Sequence, residues 1–105
     1  MNVPEIIFQQ LGGRRFAAVT GSRNFTGYTD GLTMTLAKNE SGANRLAITL
    51  TPEDTYIMRF FKSSPTRGTI NEIEVFDDVY CDQLQDLFEQ VTGFDLSLCR
   101  VYFGG

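Results

Sequence analysis

A chain of 105 residues that is 42% hydrophobic, with nine Phe and four Tyr, fits one folded domain and excludes an intrinsically disordered chain. The formal charge of −4 argues against avid nucleic-acid binding by the domain as a whole. The lack of any His removes the commonest general base, the Ser-His and Cys-His pairs and the His-based metal sites together, which excludes most hydrolase mechanisms.

The elements are predicted in chain order. Pro4, Phe8 and Leu11 follow i, i+4, i+7 spacing up to Gly12 and Gly13, which predicts a short N-terminal helix. Arg15 to Thr20, "RFAAVT", reads as a strand, followed by a polar loop "GSRNFTGYTDG" that carries Phe25 and Tyr28. Leu32, Met34 and Leu36 alternate with Thr33 and Thr35. After the turn residues "KNESGAN", Leu46, Ile48 and Leu50 alternate with Ala47, Thr49 and Thr51, which predicts a hairpin. Thr55 to Lys62 is apolar on both faces, the pattern of a central strand or of one covered by helices.

"SSPTRG" then turns the chain into "TINEIEVF", a half-exposed strand with Glu72 and Glu74 outward. A helix is predicted next, with Asp77 or Asp78 as N-cap, Tyr80, Leu84, Leu87, Phe88 and Val91 as its apolar stripe and Gly93 as its stop. The tail "LSLCRVYFGG" offers a last short strand. The expected fold is a single α+β domain over residues 1–105. It is an antiparallel meander of about four to five strands packed with an N-terminal and a C-terminal helix.

No apolar run approaches the roughly 20 residues that span a bilayer, and "MNVPEIIFQQ" lacks the basic and apolar regions of a signal peptide, so a cytoplasmic location is expected, with no membrane partner. Cys81 and Cys99 are too few and too far apart for a zinc knuckle and read as reduced thiols. "VTGSR" at Val19 to Arg23 has the look of a phosphate-binding turn, but neither a following Lys-Ser or Lys-Thr nor a following helix supports it. Asp77, Asp78 and Asp82 could ligate a hard cation, yet acids in a first helical turn are already accounted for by the helix dipole. No cofactor, metal or catalytic residue is expected.

Charge divides unevenly. Residues 1–68 carry eight Lys/Arg against five Asp/Glu, and residues 69–105 carry Arg100 against eight Asp/Glu. Glu72, Glu74, Asp82, Asp86 and Glu89 therefore form the expected binding face for a protein with a basic surface. Arg14, Arg15, Arg23, Lys38, Arg45 and Arg67, with Phe25 and Tyr28, supply the cations and stacking rings of a nucleic-acid surface. Arg14, Arg15, Arg23, Phe25 and Tyr28 are its alternative site.

The combination of "FQQLGGRRFAAVTGSRNF", "ITLTPEDTYIMRF" and "DDVYCDQLQDLFEQVTGFDLSL" resembles a group of short uncharacterised proteins encoded in bacteriophages and other bacterial mobile elements, over about residues 8 to 98. The resemblance implies no activity and no site residues. It implies a non-enzymatic accessory protein of the host-cell cytoplasm that binds a host or phage macromolecule. One such role is inhibition of a host-defence nuclease effector, as in anti-CRISPR action; a minor virion component is a further alternative.

Overall fold

The structure, a computed structural model, describes residues 2–97. Two helices, α1 (Val3–Leu11) and α2 (Gly13–Thr20), precede five strands: β1 (Arg23–Gly27), β2 (Gly31–Thr35), β3 (Arg45–Leu50), β4 (Tyr56–Ser64) and β5 (Thr69–Val79). A 3-10 turn (Cys81–Gln83) then leads into α3 (Leu84–Thr92). The strands form one antiparallel sheet in the order β1-β2-β3-β4-β5, a meander as expected. The fold is α+β.

The sheet has two unlike faces. Leu32, Met34, Leu46, Ile48, Tyr56, Met58 and Phe60 point to the helices and are buried, together with Ile7, Leu11, Phe16, Leu84 and Phe88 from the helical layer. The aromatic ring of Phe88 joins the layers, with centroids 4.9 Å from Phe16 and 6.2 Å from Phe60. Thr33, Thr35, Arg45, Ala47, Thr49, Ile57, Arg59 and Phe61 face the other way and all retain exposure. The expectation of a central β4 holds, since β3 and β5 flank it, but helices cover only one of its faces.

Three expectations need correction. The stretch predicted as the strand Arg15–Thr20 lies within helix α2. Six residues suit either period, but Phe16 and Thr20 are both buried at helical spacing, and the Thr20 hydroxyl donates to the Phe16 carbonyl at 2.8 Å. Gly12 and Gly13, with φ of 126° and 62°, stop α1 and start α2 at a new angle, and Gly21 closes α2 in the left-handed region.

The supposed loop after Gly21 contains β1, whose pairing with β2 rather than any alternation makes it a strand. The last helix also starts later than expected. Asp77 and Asp78 belong to β5, and Tyr80 caps the 3-10 turn that precedes α3, its N–H donating to Gln83 Oε1 at 2.8 Å. Tyr80 is 60% exposed rather than part of the apolar stripe, and Cys81, in the 3-10 turn, is exposed. The predicted stop at Gly93 is present, in the left-handed region with its N–H donating to the Glu89 carbonyl. The predicted tail strand, apart from its first two residues, and Cys99 lie outside the described residues.

Candidate partner-binding surface

A meander sends alternate turns to opposite ends of its sheet, and this sorts the charge. At one end lie the β1–β2 turn with Asp30, the β3–β4 turn with Glu53 and Asp54, the last residues of β5 with Asp77 and Asp78, and the 3-10 turn with Asp82. All six carboxylates are exposed, and these segments contain no Lys or Arg. At the other end lie Arg23, Lys38, Arg45, Lys62 and Arg67, with Glu40 and Glu72 among them. The acidic end draws Asp30, Glu53 and Asp54 from the first 68 residues and Asp77, Asp78 and Asp82 from the rest, so it does not follow the division of charge between the halves of the sequence.

The acidic residues singled out from sequence are not brought together as one surface. Glu72 pairs with Phe61 and Glu74 with Phe60, across a register shift that places neighbouring β4 residues opposite them. Phe60 and Phe61 point to opposite faces, so their partners do too. Glu72 binds Arg59 at 3.0 Å. Asp82 and Asp86 are exposed on the helical side, while Glu89 is half-buried and accepts from the Leu96 N–H. Of the five, Asp82 alone belongs to the acidic end.

The basic alternative is divided as well. Arg14 and Arg15 are exposed on α2, in the helical layer. Arg23 begins β1 on the helix-free face, next to Thr35. Phe25 turns inward, its ring 4.9 Å from that of Phe8 at 71°. Tyr28 is 54% exposed in the β1–β2 turn. Cross-strand pairing instead builds the row Arg23, Thr35, Arg45, Phe61 and Glu72 over the helix-free face. Arg45 Nε and Thr33 Oγ1 on this face are shielded and have no hydrogen-bond partner.

One large groove opens at the acidic end, with a volume of about 870 Å³, between the start of α1 and the β1–β2 turn. Pro4, Phe8, Phe25, Tyr28 and Leu32 form its apolar walls, and Asn2, Glu5 and Thr29 its polar parts. Asn2 Oδ1 accepts from the Glu5 N–H at 3.1 Å and so fixes the first turn of α1 at the groove. Gly27 lets α1 lie against β1, because a Cβ there would come within 2.8 Å of the Pro4 ring. Pro4 and Phe8 were legible as helix positions but not as a wall, since the wall needs β1, which the sequence pattern does not reveal.

Among the described residues no group of three or more His, Cys, Asp or Glu is placed to hold a metal ion, and no helix is long and apolar enough to cross a membrane. The phenol of Tyr56 has its pKa raised, first by burial and then by the nearby Cys81, partly offset by its hydrogen bond to Gln10. Compared with family models, with curated proteins and with solved structures, the chain matches none.

Proposed function

We propose that the chain is a non-enzymatic binding protein that engages a basic surface of a protein partner through the acidic end of its sheet. The observation that carries this reading is the gathering of Asp30, Glu53, Asp54, Asp77, Asp78 and Asp82 from separate segments without an intervening cation. Like charges held together raise the energy of the free protein slightly and are relieved when an opposite surface docks, which also speeds encounter. A nucleic-acid-handling effector of a host defence system presents such a surface. An inhibitor carried by a phage or mobile element, acting in the host cytoplasm, fits this chemistry and agrees with the sequence resemblance.

The test is charge reversal at Asp30, Glu53, Asp77 and Asp82 to Lys. Asp54 and Asp78 are left alone because their φ values of 63° and 53° suit Asp better than Lys. Immobilised wild-type protein is expected to retain a protein from host lysate at low salt, and the reversed variant to release it. Equal retention by both overturns the reading.

A second reading, nucleic-acid binding, is favoured by the row Arg23, Arg45 and Phe61 together with Lys62 and Arg67 at the same end. It puts Arg23, Arg45 and the stacking ring of Phe61 on the helix-free face rather than on the Arg14/Arg15 helix. It predicts a complex whose affinity falls steeply with salt. A mobility-shift titration at low salt with single- and double-stranded DNA and RNA that yields no complex removes it.

A further inference from the structure

We infer that the groove between α1 and the β1–β2 turn takes an apolar side chain from a partner segment that carries Lys or Arg on both sides of that anchor. The inference rests on the proposed acidic-end reading and adds the chemistry of the segment that the end receives.

The walls define the anchor. Val3, Pro4, Phe8, Phe25 and Leu32 offer aliphatic and aromatic surface, and the volume of about 870 Å³ falls in the usual range of sites for compact ligands, about 300–1,000 Å³. Phe8 and Phe25 pack edge to face and still retain exposure, so the pair forms a rigid floor rather than a closed core. Tyr28 stands at the mouth, 54% exposed, a ring with few rotamers whose hydroxyl can stay wet while its face covers an incoming side chain.

The rim defines the flanks. Glu5 lines the groove and Asp30 follows Tyr28 and Thr29 in the same turn, while among the described residues no Lys or Arg lines the groove. A ligand bearing a carboxylate or phosphate meets no Lys or Arg among the described residues there. A segment with basic residues beside its anchor meets Glu5 on the α1 side and Asp30 on the turn side, and beyond them the remaining acids of the same sheet end. A central desolvated anchor with a charged, solvent-accessible rim is the usual division of labour in a protein interface.

The experiment uses a displayed random peptide library of about twelve residues selected on the full chain. Expected winners carry one or two apolar residues flanked by Lys or Arg. Measured by fluorescence anisotropy, they bind the Tyr28→Arg variant at least ~10-fold more weakly, as the loss of a central contact predicts. Thr29→Arg, a second substitution at an exposed site, gives the same direction, and circular dichroism confirms that both variants fold.

Winners without basic flanks, winners that bind wild type and Tyr28→Arg equally, or no enrichment at all overturn the inference. So does concentration-dependent self-association lost in Tyr28→Arg, which assigns the groove to a second copy. Peptides that need Tyr28 but are indifferent to Asp77→Lys/Asp82→Lys keep the groove while removing the wider acidic end, so the two readings fail separately.

Discussion

Tyr56 of β4 donates a 2.7 Å hydrogen bond to Gln10 Oε1 of α1, a side-chain link between helix and sheet across 46 positions of sequence. It fixes α1 over the strand whose neighbours carry the rest of the core. Replacing Tyr56 with Phe keeps the ring and deletes the bond, so a loss of about 0.5–1.5 kcal/mol is expected in urea unfolding. The same phenol gives a pH signature. Its folded pKa lies above the ordinary tyrosine value, so the stability it contributes is complete below that value and is lost as pH rises through the folded one. Unfolding midpoints should fall in the alkaline range more steeply for wild type than for Tyr56→Phe.

Phe88 is the centre of the aromatic core, with Phe16, Phe60 and Phe94 around it. Phe88→Ala leaves a cavity between the helical layer and the sheet and should cost about 3–5 kcal/mol. Thermal unfolding checks this, and a loss under about 1 kcal/mol would mean that the layers do not share one core.

Gly31 opens β2 where a Cβ would meet the Ile48 carbonyl oxygen at 2.5 Å. Backbone rather than a flexible side chain is in the way, so Gly31→Ala must move β2 relative to β3 and should cost about 1–3 kcal/mol. Because Gly31 also accepts from the Tyr28 N–H at 2.8 Å, the substitution should displace Tyr28. Amide chemical shifts of residues 27–32 would report that movement.

The Arg59–Glu72 pair, although 3.0 Å long, joins two side chains that are each 54% exposed. Its removal by Arg59→Ala should change stability by under about 1 kcal/mol, less in high salt. A larger change would show that Arg59 works through its packing over Ala47, the residue it pairs with across β3.

The hairpin of β2 and β3, the strand β4 and the stop of α3 at Gly93 were legible because period-2 alternation and a left-handed glycine are local signals. Arg15–Thr20 was not, since Phe16 and Val19 with two alanines between them satisfy strand and helix equally over so short a stretch. Arg23–Gly27 was not, because an edge strand exposed on most of its positions needs no alternation and owes its shape to β2. Glu72 and Glu74 looked like neighbours on one face because strict alternation was assumed, and the register shift beside Phe60 and Phe61 breaks it.

The acidic end was within reach of sequence once a meander was assumed, since "YTDG", "TPED" and "DDVYCD" then fall on the same side. The groove was not, because it depends on α1 meeting the unrecognised β1.

The irregularities of the outer strands carry one more consequence. Among the described residues, β1 and β5 are the two strands with an unpaired side, and both are interrupted: β1 by a register shift and by Asn24 at φ 56°, β5 by two shifts and by Asp78 at φ 53°. An incoming strand needs a long, regular row of free N–H and C=O groups, and a kinked border studded with Glu72, Glu74, Asp77 and Asp78 refuses it. The sheet is thereby protected against being extended by another chain, whether a copy of itself or a foreign peptide. Whatever binds this protein has to recognise its side chains rather than borrow its backbone.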